Sequence, residues 1–274
     1  MDGGRTVRVL YADVDGTMVG PLGNFFWDSS RTPTLAAAEA LVRATREGLE
    51  VVALTGRARA GMFEFARVLG LESWICELGG IRVYDRGDTV VHEHGAFPGG
   101  GVPTAELHQA VDVLLEAYPG RLEEHSPWNA SRESSFLLRG DVDPGEAEAR
   151  LAEAGFGWAS LVDNGVIPKR YETLDAVDRV RAYHLLPRGV SKLAGIAADR
   201  AQRGLERAEC AMVGDAAADL ECRGEVGRCF LTRNGLDKDP SLAWVLEPGS
   251  GVEVTKAGHG EGFAEVVHRL LDQA

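Results

Sequence analysis

The chain of 274 residues has no apolar run approaching the about 18 residues that span a bilayer, and its opening, MDGGRTVRV, holds no apolar signal core. Both absences predict a soluble, cytoplasmic protein with no membrane partner. The four cysteines, Cys76, Cys210, Cys222 and Cys229, form no C-x-x-C pair. That spacing predicts reduced structural thiols. In such a compartment Asn129-Ala130-Ser131, although it matches a glycosylation acceptor, has no consequence. Positive charge is also short: 29 Lys and Arg stand against 42 Asp and Glu, a net charge of −13. This balance argues against nucleic acid as a partner, and an anionic ligand must then be held by a local cluster of cations or by a metal. No repeat, heptad or low-complexity segment is present. Nothing in the chain predicts its oligomeric state.

What is present is a chain long enough for two domains, with 45% apolar residues to build their cores. It is organised around VRVLYADVDGT, Val7 to Thr17. The apolar run Val7, Val9, Leu10, Tyr11 reads as a strand buried on both faces. Strands over 51–54, 74–76, 211–213 and 229–231 alternate with helices over 32–47, 58–69, 191–204 and 263–271, which predicts a parallel sheet covered by helices. Residues 18–32 read as a long loop beside the first strand. Between the two blocks the pattern changes to a hairpin (81–84 and 89–92), a helix (104–118), a strand (134–139), a helix opened by Asp143-Pro144-Gly145-Glu146, and strands over 158–162 and 180–186. We therefore expect a split α/β core, 1–82 and 188–274, with an antiparallel α+β domain, 83–187, inserted in it.

The chemistry-bearing residues fall at predicted carboxyl ends of strands, where open parallel sheets bind ligands. Asp13 and Asp15 are two apart on an extended chain and project toward one point, and Gly16 turns the chain away. Two such charges repel, and a divalent cation is the simplest compensation. Thr55-Gly56 ends the second strand and offers a hydroxyl and free amides to phosphate oxygens. Lys192 lies in the first turn of a helix, where a cation opposes the macrodipole unless an anion is bound there. Asp215 and Asp219 follow another strand, four residues apart and on one side of a helical turn. Taken singly, each also reads as plain structure: an Asp-Gly turn, a Thr-Gly turn, a solvated lysine, a capping pair. Together they fit a hard-cation phosphate site. His92-Glu93-His94 has strand spacing but no further ligands and reads as a solvated strand. Ser131-Arg132 and Lys169-Arg170 are possible substrate contacts from the inserted segment.

In order along the chain, Asp13-Val14-Asp15-Gly16-Thr17, Leu54-Thr55-Gly56-Arg57, Lys192 and Gly214-Asp215 to Asp219 resemble the four motifs of the haloacid dehalogenase superfamily. The insertion and Gly189-Val190-Ser191-Lys192 resemble its Cof-type, sucrose-phosphatase-like branch with a large α/β cap. Two departures stand out. Ala218 takes the place where that branch usually has Asn, and Cys76-Glu77-Leu78-Gly79-Gly80 lacks its Asn-Gly. The resemblance implies a phosphatase that hydrolyses a small phosphorylated metabolite, a sugar phosphate first, through an aspartyl-phosphate. Asp13 would be nucleophile and Asp15 general acid/base. Mg²⁺ would be held by Asp13, the Asp15 backbone carbonyl and Asp215, with Asp219 at the same site. Phosphate would be bound by Thr55, Gly56 and Lys192. A phosphomutase of the same superfamily and a non-catalytic phospholigand-binding protein are the alternatives.

Overall fold

The computed structural model describes residues 7–167, 171–174 and 176–272. Lys169 and Arg170 lie outside them. In chain order the elements are β1 (Val9–Asp13), α1 (Ala36–Glu47), β2 (Glu50–Leu54), α2 (Arg59–Leu69), β3 (Trp74–Cys76), β4 (Ile81–Tyr84) and β5 (Thr89–His92). There follow α3 (Thr104–Ala117), β6 (Leu122–Glu124), β7 (Phe136–Gly140), α4 (Pro144–Glu153), β8 (Ala159–Val166) and β9 (Arg181–Pro187). The chain closes with α5 (Lys192–Arg203), β10 (Cys210–Gly214), α6 (Ala217–Glu221), β11 (Arg228–Leu231), α7 (Arg233–Lys238), β12 (Val252–Val254) and α8 (His259–Leu271). No helix of the described residues is long and apolar enough to cross a membrane.

Eight strands form one sheet in the order β12-β11-β10-β1-β2-β3-β4-β5, parallel from β12 to β3 and antiparallel beyond. This is an α/β architecture with β1 near its centre. Alternation along β1 shows why: Leu10 and Ala12 join the layer containing α1, α2 and α8, while Val9 and Tyr11 join the layer on the α5 side. A strand clad on both faces has no solvent-facing position, hence its unbroken apolar run. Below it, the Tyr11 hydroxyl donates to Asp199 at 2.7 Å, which satisfies two groups that would be costly to bury alone.

Strands β6-β7-β9-β8 make a second, antiparallel sheet. Its one face is filled by α3 and α4 through Leu107, Val111, Leu114, Ala147 and Leu151 against Phe136, Leu138, Tyr183 and Leu185. Asp143 caps α4, its carboxylate accepting from the Glu146 amide at 2.9 Å, as Asp-Pro-Gly-Glu predicts. The 81–84 and 89–92 hairpin belongs to the large sheet: β4 pairs with β3, and Ile81 and Val83 are buried beside Trp74. Residues 83–187 thus contribute the edge of one sheet before forming the other. Helix α1 begins four residues later than the sequence pattern suggests. Pro33 bridges Trp27 and the Thr34 amide donates to the Phe26 carbonyl at 2.9 Å, so this stretch is tied back to the preceding loop.

Leu10 is fully buried at the centre of the larger core. Leu10→Ala should lower unfolding free energy by about 2–5 kcal/mol, read by urea denaturation. A loss below about 1 kcal/mol would mean that β1 is not the packed centre.

Candidate active site

The parallel strands deliver their carboxyl ends to one edge. Asp13 closes β1, Thr55 follows β2, and Gly214 closes β10 with Asp215 next in sequence. Lys192 arrives there as the first residue of α5, whose start is set by Ser191: its Oγ accepts from the Ala194 amide at 3.1 Å. All of Asp13, Thr55, Lys192, Asp215 and Asp219 are more than nine-tenths buried or at that limit.

One ammonium group joins the pieces. Lys192 Nζ donates to Asp13 Oδ1 at 2.6 Å and to Asp219 Oδ1 at 2.7 Å. Asp219 Oδ2 accepts from the Asp215 and Ala216 amides, both at 3.1 Å. Those amides orient Asp219, and the solvent-facing Ala218 takes no part. The two neighbouring carboxylates hold the Lys192 ammonium above the usual lysine range although burial opposes it. Burial drives Asp13 well above the usual carboxylate range; Lys192 pulls it back, and Asp219 and Asp215 push it up again. Asp215, buried and next to Asp219, is pushed up to about 6. Three carboxylates against one ammonium leave an excess of negative charge in a dry place.

These three carboxylates fit a hard divalent cation. Asp13, Asp215 and Asp219 each present an oxygen, all within 4.8 Å of one another. Gly16, at φ +92°, keeps the space open, since a side-chain carbon there would overlap the Asp215 carboxylate. The side chain of Asp15 lies apart from this trio. Arg57 grips it with two bonds, Nε to Oδ2 at 2.7 Å and Nη2 to Oδ1 at 2.6 Å, and rests over the Phe65 ring at 5.1 Å. Thr55 Oγ1 accepts from the Arg57 amide at 3.2 Å.

The four-stranded unit stands over this edge. Arg132 donates from Nη2 to the Gly56 carbonyl at 2.9 Å, from Nε to Trp128 and from Nη1 to Ser135. Its segment is gripped from below by Glu77, fully buried, whose carboxylate accepts from the Glu133 amide (3.0 Å), the Ser134 amide (2.9 Å) and the Ser135 hydroxyl (2.8 Å). Glu77 and Leu78 both have positive φ, 51° and 57°, so this turn takes the left-handed backbone without the Gly or Asn that favours it. Sequence reasoning did not single out Glu77 or His184 as site residues. An isolated buried acid and a lone histidine carry no spacing signal. Among the described residues His92 joins no group that could hold a metal, but it is not simply solvated as the strand spacing suggested: it is part-buried with its Nε2 2.8 Å from Glu133, which also accepts from Arg59 at 2.7 Å.

No protein-family model matches the chain. A phosphoglycolate phosphatase of Methanoculleus marisnigri is 28% identical over 266 residues, 96% of each chain. Among solved structures, a haloacid dehalogenase-like hydrolase from Bacteroides thetaiotaomicron covers 96% of this chain and 99% of its own with TM-score 0.65 at 15% identity. The sucrose-phosphatase of Synechocystis, in complex with sucrose and phosphate, covers 97% and 98% with TM-score 0.63 at 17% identity.

Two predictions follow from the charges. Lys192→Ala leaves buried carboxylates unpaired and should cost about 3–5 kcal/mol of stability, measured by denaturant unfolding; an unchanged midpoint would contradict the buried pair. The second concerns pH in the presence of a chelator. Asp215 has a folded pKa raised from 3.8 to about 6, so its protonated form is the one the fold favours. Stability should therefore fall as pH rises through that window, and Asp215→Asn should flatten the fall. Thermal midpoints that rise steadily across it, with the variant unchanged, would contradict the assignment.

Proposed function

From the premise that this chain has the fold of the haloacid dehalogenase-like hydrolases, we propose that it is a Mg²⁺-dependent phosphatase of a small phosphorylated metabolite, acting through Asp13. The observation that carries the reading is the Lys192 ammonium shared between Asp13 and Asp219 beside Asp215. A binding protein needs no buried carboxylate with a second acid two residues on. Phosphatase relatedness supports the reaction class, and the relative's name makes 2-phosphoglycolate the first substrate to test, ahead of the sugar phosphates that the sucrose-phosphatase likeness suggests. The four-stranded unit acts as a cap over the site, and the enzyme works in the cytoplasm.

Asp13, the Asp15 backbone carbonyl and Asp215 would hold the cation, with Asp219 placing Lys192 and the Asp215 loop. Bound there, Mg²⁺ supplies positive charge that lets two anions, carboxylate and phosphate, approach. Lys192 and the Thr55-Gly56 hydroxyl and amides hold the phosphoryl oxygens. An Asp13 oxygen attacks phosphorus, the bond to the leaving oxygen breaks, and the Asp15 carboxyl gives that oxygen its proton. Asp15 then takes a proton from the water that cleaves the aspartyl-phosphate, and Asp13 and inorganic phosphate are released. Arg57 sets where the Asp15 carboxyl points. A phosphomutase would return the phosphoryl group to the sugar; no observation in the structure favours it.

The test is release of inorganic phosphate from 2-phosphoglycolate, sugar phosphates and 4-nitrophenyl phosphate, with Mg²⁺ and with a chelator. Activity that stops with the chelator is the expected result, and full activity without metal would overturn the site. Asp13→Asn should abolish turnover on every ester. Asp15→Asn should cost roughly 10²–10⁴-fold on alkyl phosphates and less on nitrophenyl phosphate, whose leaving group hardly needs a proton. Equal losses at both positions on both esters would refute this division of labour.

A further inference from the structure

His184 lies on β9, directly opposite Leu137 of β7 and Val162 of β8. Side chains alternate along a strand. Tyr183 and Leu185 enter the core beneath α3 and α4, so His184 faces the other way, toward the catalytic edge. There it meets Gly56: a side-chain carbon on that glycine would sit 3.1 Å from Cε1 and 3.2 Å from Nε2 of the imidazole. A side chain there would press the ring back by a few tenths of an ångström, so glycine suits this close approach to the Thr55-Gly56 turn. The residue is 3% exposed and its Nδ1 has no hydrogen-bond partner among the described residues. Leaving such an atom unmatched costs about 1–3 kcal/mol. The hydrophobic alternatives that fill Leu137 and Leu186 on the same face would have avoided that cost.

We infer that His184, with Arg132 beside it, is a specificity-determining residue that contacts the substrate at its end remote from the phosphoryl group, and that this end is a carboxylate on a short carbon chain. The inference rests on the phosphatase reading and deepens it. Three observations point to an anion. Arg132 reaches the same turn, donating to the Gly56 carbonyl, and its direct hydrogen bonds go to uncharged oxygens of Gly56, Trp128 and Ser135. Burial first, then Arg132, Lys192 and His125, hold the ring far below the usual histidine range, so it is neutral and keeps one N–H to donate. Of the charged groups that act on the ring, Arg132 faces the buried Glu77 and Lys192 is shared by Asp13 and Asp219, and a negatively charged acceptor beside the imidazole would meet the Arg132 guanidinium directly. Chain length follows from position. The ring touches the residue next to Thr55, so a ligand bridging the phosphoryl site and His184 has room for only a few atoms.

The test measures kcat and KM with Mg²⁺ for 2-phosphoglycolate and for 4-nitrophenyl phosphate, which has no carboxylate, using the unaltered chain, His184→Phe and His184→Gln. His184→Phe should raise KM for 2-phosphoglycolate about 10- to 100-fold while its constants for nitrophenyl phosphate stay within about threefold. His184→Gln, which keeps an N–H donor, should recover part of the loss. Equal losses on both esters, or none on either, would overturn the inference, since a merely structural role moves both together. An unaltered chain that hydrolyses nitrophenyl phosphate but not 2-phosphoglycolate would overturn the carboxylate reading and leave the phosphatase standing. Should neither ester turn over, the phosphatase reading fails. Calorimetric titration of 2-phosphoglycolate then decides the inference: binding by the unaltered chain that weakens in His184→Phe supports it, and binding that does not weaken, or none, overturns it.

Discussion

The site depends on one buried ammonium. Lys192 Nζ bonds Asp13 and Asp219 at once, and so fastens the start of α5, the end of β1 and the turn after β10 to one point. A buried cation costs several kcal/mol in lost hydration, and two short bonds to carboxylates repay it only if no large change in geometry is allowed. That requirement explains the packing around the edge. Ser191 sets where α5 begins, and the Asp215 and Ala216 amides fix the second carboxylate. Gly16 leaves room for the third. The arrangement remains short of positive charge, because Asp215 adds a further acid to two already shared by one lysine.

A second constraint joins the two sheets. Glu77 projects from the turn after β3 and accepts three bonds from residues 133 to 135, and the same segment sends Arg132 down to the Gly56 carbonyl. The turn that presents Thr55 and Gly56 is thereby held from both sides, by its own sheet and by the unit above it. Holding two consecutive non-glycine residues, Glu77 and Leu78, in the left-handed region costs of the order of 1–3 kcal/mol each, and the three bonds to the Glu77 carboxylate offset it.

Much of this was legible in the chain itself. The run into Asp13 and Asp15, the helix opened by Ser191 and the strand running into Gly214-Asp215 have strong local signals, because a doubly buried strand and a capped helix write themselves in apolar periodicity and end residues. Strands β6 (Leu-Glu-Glu) and β12 (Val-Glu-Val) lack the unbroken apolar run that marks the equally short β3, the six-residue α7 is too short to show a period, and the sequence pattern passed over all three. The hairpin β4–β5 was visible, but its membership of the large sheet was not, because pairing with β3 depends on a partner chosen in space. Glu77 and His184 were missed for the same reason. Each is one residue whose meaning comes from a segment more than fifty positions away: 56 to 58 for the bonds of Glu77, and far more between His184 and Gly56.

The central claim is that Asp13 and Asp215, beside the Lys192 ammonium that Asp13 and Asp219 share, make a cation site. Titration calorimetry of Mg²⁺ into the metal-free chain tests it most directly, with Asp215→Asn as comparison. The account predicts one saturable site that is lost or greatly weakened in the variant. Absence of binding, or binding that Asp215→Asn leaves unchanged, would contradict it.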